Sequence, residues 1–307
     1  MKKAVDVVCT MGTAECLEEL RLFLTSLRVF HPHTPVVVGC TASLLDPPRS
    51  SSSSSTDASL LRPFLEKDRA ITWVPCLDAY GPIDRKRMET EKGVWFPTRH
   101  ADMMMEKANL MEHAFKLFGD GGADEHPTVA FMDCDVAFLG ALPDLPRAAQ
   151  LALSPHHIRA ADELLFGEYN GGYVITSDPH SLFVWRQATM RSRYFDQASL
   201  ESVAAHYKAK GSDAFVEIPP QHNYGYWRLT QSRGGDMTQE ASRFSITGAK
   251  GVTQLHYSDQ PLRSVHTHFF TERLEGQKNM LLFNSLILKW LRECENADYA
   301  AALSAVL

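Results

Sequence analysis

Two short apolar runs, Val5 to Cys9 and Val36 to Cys40, flank a segment from Glu15 to Phe30 in which Leu17, Leu20, Leu24 and Leu27 recur at helical spacing. Runs of that length read as buried strands, and the three- to four-residue repeat reads as an amphipathic helix. A strand–helix–strand unit this short favours a parallel sheet with a right-handed crossover. The alternation continues with a helix from Leu60 to Asp68, a strand from Ile71 to Pro75, a long helix from Ala101 to Phe118 and a strand from Thr128 to Met132. Farther along, Leu151 to Ser154 and Gly172 to Thr176 read as strands, and Ser181 to Arg193 and Leu200 to Lys210 as helices. Lys278 to Leu291 carries Met280, Leu281, Phe283, Leu286, Ile287 and Trp290 at helical spacing, a stripe suited to core packing. The expected fold is α/β: one domain over residues 1–307 with a central, mostly parallel mixed sheet flanked by helices. It divides into halves at 1–140 and 141–275 and ends in a C-terminal helix over 276–307.

At 307 residues, with 44% apolar and 22% charged side chains, the chain can bury a full core. The one obvious break in composition is the serine run from Ser50 to Thr56, preceded by Pro47-Pro48, which is expected to be a mobile loop inside the domain. A formal charge of −6, without a dense Lys/Arg cluster, argues against nucleic acid as a partner. No run approaches the roughly 18 apolar residues that span a bilayer, and Asp6 interrupts the apolar continuity a signal peptide needs, so the expected location is cytoplasmic. Cys9, Cys16, Cys40, Cys76, Cys134 and Cys294 show no Cys-x-x-Cys or zinc spacing and read as reduced, mostly buried residues.

Function concentrates at Val129-Ala130-Phe131-Met132-Asp133-Cys134-Asp135, where an apolar strand ends in two aspartates one residue apart. Ligands of α/β sheets collect at the carboxyl ends of the strands. Hard cations such as Mg²⁺ and Mn²⁺ take carboxylate oxygen, and a nucleotide's phosphates can supply further ligands. Asp133 and Asp135 are therefore candidate metal ligands, set against the common use of such pairs as turn formers and caps.

With these motifs the chain resembles the nucleotide-sugar-dependent glycosyltransferases of the GT-A fold, in the branch with glycogenin-like and bacterial galactosyltransferase-like members. Val7-Val8-Cys9-Thr10, the Leu-rich helix and His31-Pro32 look like the family's first strand and helix, which implies that Thr10 lies by the nucleotide. Lys107, within Met105-Glu106-Lys107-Ala108, sits where many members carry a basic residue, and Asp133-Cys134-Asp135 matches the family's Asp-x-Asp. Tyr169-Asn170-Gly171-Gly172 looks like the Asn-x-Gly segment along the donor sugar; the two glycines suit close approach of a ligand or, equally, a turn with a bulge. Phe195-Asp196-Gln197 resembles the acidic-Gln pair near donor and acceptor sugars, and Pro219-Pro220-Gln221-His222-Asn223 the Pro-x-x-Asn segment.

Gln254-Leu255-His256-Tyr257 looks like the late apolar-His-aromatic motif, whose histidine completes the metal site, with His266-Thr267-His268 as the competing source of that ligand. Arg263 stands where the family places a lysine on the diphosphate. The resemblance thus implies metal ligands Asp133, Asp135 and His256; donor contacts from Thr10, Lys107, Asp133, Gly171, Gly172 and Arg263; and catalytic roles for Asp196, Gln197 and Asn170. It implies Mn²⁺ or Mg²⁺ as cofactor, a nucleoside-diphosphate sugar, foremost a UDP-sugar, as donor, and a glycan or glycoconjugate acceptor. The nucleotide would occupy residues 1–140 and the acceptor 141–275. The branch contains many enzymes that retain anomeric configuration.

An inverting enzyme would need a carboxylate base, for which Asp196, Asp162 and Glu163 are candidates because they flank the Asn170 segment. Tyr224, Tyr226, Trp227 and Tyr257 suit either a sugar face or the core, and Arg99 and His100 either the nucleotide or solvent. The rival readings are a sugar nucleotidyltransferase, for which Met11-Gly12-Thr13 supplies only one glycine, and a non-catalytic carbohydrate-binding protein of the same fold.

Overall fold

A computed structural model describes residues 2–45, 57–81, 83–119, 126–270 and 278–307. The serine run from Ser50 to Thr56 lies outside the described residues. The alternating pattern is realised as a seven-stranded sheet. In spatial order its strands are Phe215–Glu217, Leu151–Pro155, Tyr169–Thr176, Val129–Met132, Val7–Met11, Val36–Cys40 and Ile71–Pro75. The 169–176 strand runs antiparallel to both neighbours, and the other four pairings are parallel. Strands from both expected halves therefore share one sheet. Val129–Met132 lies at its centre and is buried at every position, which is why it reads as a continuous apolar run without alternation.

Helices cover both faces. Arg99–Phe118, His180–Thr189 and Leu200–Lys210 pack on one side through Met105, Leu110, Met111, Leu182, Trp185, Leu200 and Val203. Leu17–Phe30 covers the other with Leu20, Phe23, Leu24 and Leu27. This helix is buried on a second side as well, because Leu22 joins a further core with the C-terminal helix Lys278–Glu293. That core surrounds a small sheet of Tyr224–Gly225, Ser264–His266 and Val136–Phe138, and Ser26 Oγ ties helix to sheet by accepting from Phe138 N at 3.0 Å.

Several boundaries differ from expectation, for local reasons. The strand expected at Val5 to Cys9 is Val7–Met11, the first in chain order of the seven-stranded sheet, since Asp6 Oδ2 accepts from Thr128 N at 2.7 Å and sets the register just before it. The helix expected to reach Arg193 ends at Thr189, and residues 190–199 form turns leading into Asp196. The strand expected to begin at Gly172 begins at Tyr169, so Gly171 and Gly172 are strand residues and make no turn. The C-terminal segment holds two helices instead of one, because Asn296 caps a second at Ala297–Ala302 by accepting from Asp298 N and Tyr299 N. All six cysteines are free. Among the described residues, no helix is long and apolar enough to cross a membrane.

Candidate active site and metal centre

The 129–132 strand stops at Met132, and Asp133 to Val136 make a turn closed by Val136 N donating to Asp133 O at 3.2 Å. The chain then enters the small sheet, whose 264–266 strand pairs antiparallel with 136–138 and brings His266 opposite Val136. This juxtaposition sets His266 Nε2 3.1 Å from Asp135 Oδ1 and 3.9 Å from Asp133 Oδ2. One ligand atom from each of Asp133, Asp135 and His266 lies within 4.8 Å of the other two. Two carboxylates and an imidazole suit Mn²⁺ and related divalent ions.

The surrounding amides fix the imidazole. Asn223 Nδ2 donates to Asn170 Oδ1 at 3.1 Å and to Ser154 Oγ at 3.0 Å, so Asn223 Oδ1 is the acceptor for His266 Nδ1 at 2.9 Å. With Nδ1 donating, the neutral tautomer leaves the Nε2 lone pair facing the carboxylates, the usual outer-shell arrangement of a metal-binding histidine. Burial opposes charge on His266, but Asp135 raises its pKa above the ordinary value. Burial likewise opposes ionisation of Asp135, yet His266 and His268 hold its carboxyl well below the usual range.

Behind Asp133 lies a buried ion pair network. Lys107, 3% exposed, places Nζ 3.3 Å from both Asp133 Oδ1 and Asp196 Oδ2, and donates to Gly171 O at 3.1 Å. Burial opposes its charge, but the two carboxylates keep it well above the ordinary lysine value. Asp196 is 4% exposed, and burial raises its pKa against the pull of Lys107. Gly172 makes the approach possible: a Cβ there would lie 2.1 Å from Asp133 Oδ2 and 2.8 Å from His266 Cε1.

Lys107, Asp133, Asp135, Gly172 and Asp196 form one side of a cleft of about 350 Å³ that also includes Met11, Gly12, Thr13, Leu77, Arg85, His100, Met103, Met104, Cys134, Tyr194, Gln197 and His268. Of the residues expected here from sequence, Lys107, Asp133, Asp135, Gly172, Asp196 and Gln197 line it. Asn170 and Gly171 stand just behind: Asn170 Oδ1 accepts from Gly172 N at 3.2 Å, and Gln197 Oε1 accepts from Gly171 N at 3.2 Å. Gln197 Nε2 donates to Phe166 O at 3.0 Å, so its amide braces the turn beneath the cleft.

Three expected residues lie elsewhere. His256 belongs to the hairpin Gln254–Tyr257 and Gln260–Pro261, joined by Ser258 and Asp259 at φ 49° and 64°, the left-handed pair of a two-residue turn. Strand alternation there drives Leu255 and Tyr257 into the core and turns His256 to the opposite face, between Ser245 and Pro261; the imidazole beside the two aspartates belongs to His266. Arg263 packs against Gly140 and is absent from the cleft wall. Thr10 is fully buried inside the first strand, and the cleft begins at Met11.

Asp162 and Glu163 also lie away from the cleft, on the helix Ala160–Phe166, where they pair with Arg159 and Arg233. Tyr224 and Tyr257 are core residues whose hydroxyls donate to Glu240 Oε1. Trp227 meets the His266 ring edge-on at 4.9 Å. Arg99 donates to Ala79 O, while His100 does line the cleft, its pKa pushed down to about 4 by burial and Arg85.

Arg85, Tyr194 and Cys16 also line the cleft and were not singled out from sequence, whereas His268 stood there within His266-Thr267-His268, the competing source of the histidine ligand. The signal for His268 was present: His266-Thr267-His268 repeats at the same period of two as Asp133-Cys134-Asp135. His268 Nε2 lies 3.3 Å from Asp135 Oδ2. Arg85 is brought in by a short helix, Arg85–Thr90, which carries no strong apolar stripe.

Glu19, on the leucine-rich helix, is 3% exposed; its Oε1 accepts from Phe270 N at 3.0 Å and its Oε2 has no hydrogen-bond partner among the described residues. Burial pushes its pKa from 4.5 up to about 8, against the Phe270 N–H. Between those values the unfolded chain releases a proton that the folded chain keeps. The contribution to stability is therefore full below pH 4.5 and declines as pH rises to about 8. Glu19→Gln is expected to flatten this decline and to stabilise the fold at pH 8 by on the order of 3 kcal/mol. Thermal unfolding of both proteins from pH 5 to 8 checks it; parallel pH profiles would rule it out.

No protein-family model matches the chain, and no curated protein matches it. Among solved structures it is similar to the apo form of the glycosyltransferase GlyE of Streptococcus pneumoniae TIGR4, at 11% identity and a TM-score of 0.46, over 95% of this chain and 64% of that one. The chain thus spans less than two thirds of the length of that structure. It is also similar to the galactosyltransferase LgtC in complex with donor and acceptor sugar analogs, at 14% identity and a TM-score of 0.44, over 85% of this chain and 86% of that one. A third likeness is to the apo bifunctional glycosyltransferase WbbM, at 11% identity and a TM-score of 0.41, over 75% and 41% of the respective chains.

Proposed function

We propose that the chain is a glycosyltransferase that moves a sugar from a nucleoside-diphosphate donor to a carbohydrate-bearing acceptor, with a divalent cation held by Asp133, Asp135 and His266. The observation that carries this reading is the convergence of those three side chains at the carboxyl end of the central strand, where Asp133 and Asp135 line a cleft of about 350 Å³ and His266 meets them from behind. A divalent cation there supplies positive charge for the diphosphate as it leaves. The protein's own groups complete the site. Asn223 holds the His266 ring with Nε2 towards the carboxylates, Lys107 braces Asp133 from behind, and Gly172 leaves room for both ligands.

Arg85 and His268 line the cleft with exposed side chains and take the role of facing the phosphates that the sequence pattern gave to Arg263. The apolar Met11, Leu77, Met103 and Met104 surfaces suit a nucleoside, and the sequence resemblance favours uridine. The remaining carboxylate among the described lining residues, Asp196, is buried against Lys107 and is poorly placed to take an acceptor's proton. That favours a course retaining the anomeric configuration, which needs no such base.

Thermal unfolding with a panel of nucleoside diphosphates, with and without Mn²⁺, tests the reading, because a ligand that binds only the folded chain raises its stability. The expected result is a Mn²⁺-dependent rise with uridine diphosphate and Mn²⁺-dependent release of sugar from the matching donor. Asp135→Ala should lose both responses and lower sugar transfer by about 10³-fold. Normal turnover by that variant would exclude the site.

A further inference from the structure

Behind the layer that carries Asn223 and His266 lies a second cavity, of about 400 Å³, that shares no lining residue with the cleft. Arg228, Arg233 and Arg243 converge on it, opposed in its wall by one carboxylate, Glu240, in a chain whose formal charge is −6. Arg228 is 2% exposed. Its Nε donates to Asn223 O at 3.0 Å, and its Nη2 donates to Ser154 Oγ at 3.3 Å and Pro155 O at 2.5 Å. All three acceptors are neutral, and Nη1 has no hydrogen-bond partner among the described residues. Burial draws the Arg228 pKa down to about 10, which still leaves it charged at neutral pH. A buried cation with neutral acceptors and an unused donor is costly unless an anion completes it.

One further wall group shows the same shortfall. Ser258 Oγ is buried without a partner among the described residues, and Ser258 is held at φ 49° in the hairpin turn. Glu240 already accepts from Tyr224 and Tyr257, and it meets Arg243 at 3.4 Å. Arg233 pairs with Glu163 at 3.0 Å from the rim.

We propose that this cavity is a second ligand site, which binds the oxyanion of a sugar-sized molecule through Arg228, Arg233, Arg243 and Ser258. A guanidinium presents paired donors that match phosphate or carboxylate oxygens, and the volume falls in the range of small-molecule pockets. The site is independent of the cation centre, but Asn223 joins the two: its carbonyl accepts from Arg228 while its side chain holds His266. Phosphate and carboxylate share the recognising chemistry, and binding distinguishes them.

The test is calorimetric titration of the full chain, in EDTA, with glucose 6-phosphate, glucuronate and unmodified glucose. The same titrations are made on Asp135→Ala, on the double variant Arg233→Ala/Arg243→Ala and on Arg228→Met. Expected is saturable binding of one or both anions, with none of glucose. Phosphate-selective binding identifies a phosphate ester as the ligand class, and glucuronate-selective binding a sugar acid. Affinity should persist in Asp135→Ala and fall at least tenfold in the double variant and in Arg228→Met. Equal affinity in the double variant, or no binding of either anion to the native chain at millimolar concentration, overturns the proposal. Because the readout needs neither metal nor donor, it stands or falls separately from the transferase reading.

Discussion

Gly172→Ala is expected to weaken Mn²⁺ binding on the order of 100-fold while leaving the fold in place, the scale seen when the support of a metal ligand is disturbed. The new Cβ would sit 2.1 Å from Asp133 Oδ2 and 2.6 Å from its Cγ on one side, and 2.8 Å from His266 Cε1 on the other. Asp133 is tethered by Lys107 and His266 by Asn223, so neither ligand moves without breaking a buried contact. The backbone at Gly172 is ordinary strand, so the effect comes from lost space and not from backbone strain. Mn²⁺ titration with circular dichroism as a control for folding measures it. An alanine variant with native Mn²⁺ affinity would show that these two ligands do not act together on one ion.

Lys107→Met should cost roughly 3–5 kcal/mol of stability, the range for removing one partner of a buried ion pair. Methionine fills similar volume, but it leaves Asp196 buried with its Oδ2 without a cation and exposes Asp133 to that like charge. Asp196 already has a raised pKa from burial, and losing Lys107 moves it further in the same direction. The variant should therefore recover stability as pH falls and Asp196 takes up a proton. Adding Asp196→Asn should restore much of the loss at pH 7. Urea unfolding of the single and double variants gives the comparison; a loss below about 1 kcal/mol, the ceiling for an exposed pair, would show that the network is solvated.

Which parts were legible in the sequence follows from the range of the interactions. The strands at 36–40 and 71–75 and the helix at 200–210 fall where residue spacing put them, because the strands belong to one sheet and the helix packs on it. The two aspartates were marked by their place at the end of an apolar strand, and Lys107 and Asn170 only by the family resemblance; in the fold Lys107 Nζ lies 3.3 Å from Asp133 Oδ1, and Asn170 stands just behind the cleft wall at Gly172. The hydrogen bonds that Gln197 and Asn170 make were not visible. Gln197 and Asn170 look like groups aimed at a sugar, yet they hydrogen-bond to the backbone at Gly171, Gly172 and Phe166.

The histidine shows where local information stops. His256 follows an apolar residue and precedes an aromatic one, as in the motif it resembles, and nothing in its neighbours disqualifies it. Its orientation depends on pairing with Ser245 and Pro261, and that of His266 depends on pairing with Val136, more than a hundred residues earlier. A shift of one residue in either register would exchange which side chains face the core. The sequence by itself determined the α/β alternation, the buried central strand and the acidic pair at its end, because these rest on periodicity and burial within a few residues. Only the tertiary structure decided that His266 joins that pair, that Gly172 makes space for it and that three arginines meet in a second cavity. Those outcomes depend on strand registers between segments distant in the chain, which local pattern does not encode.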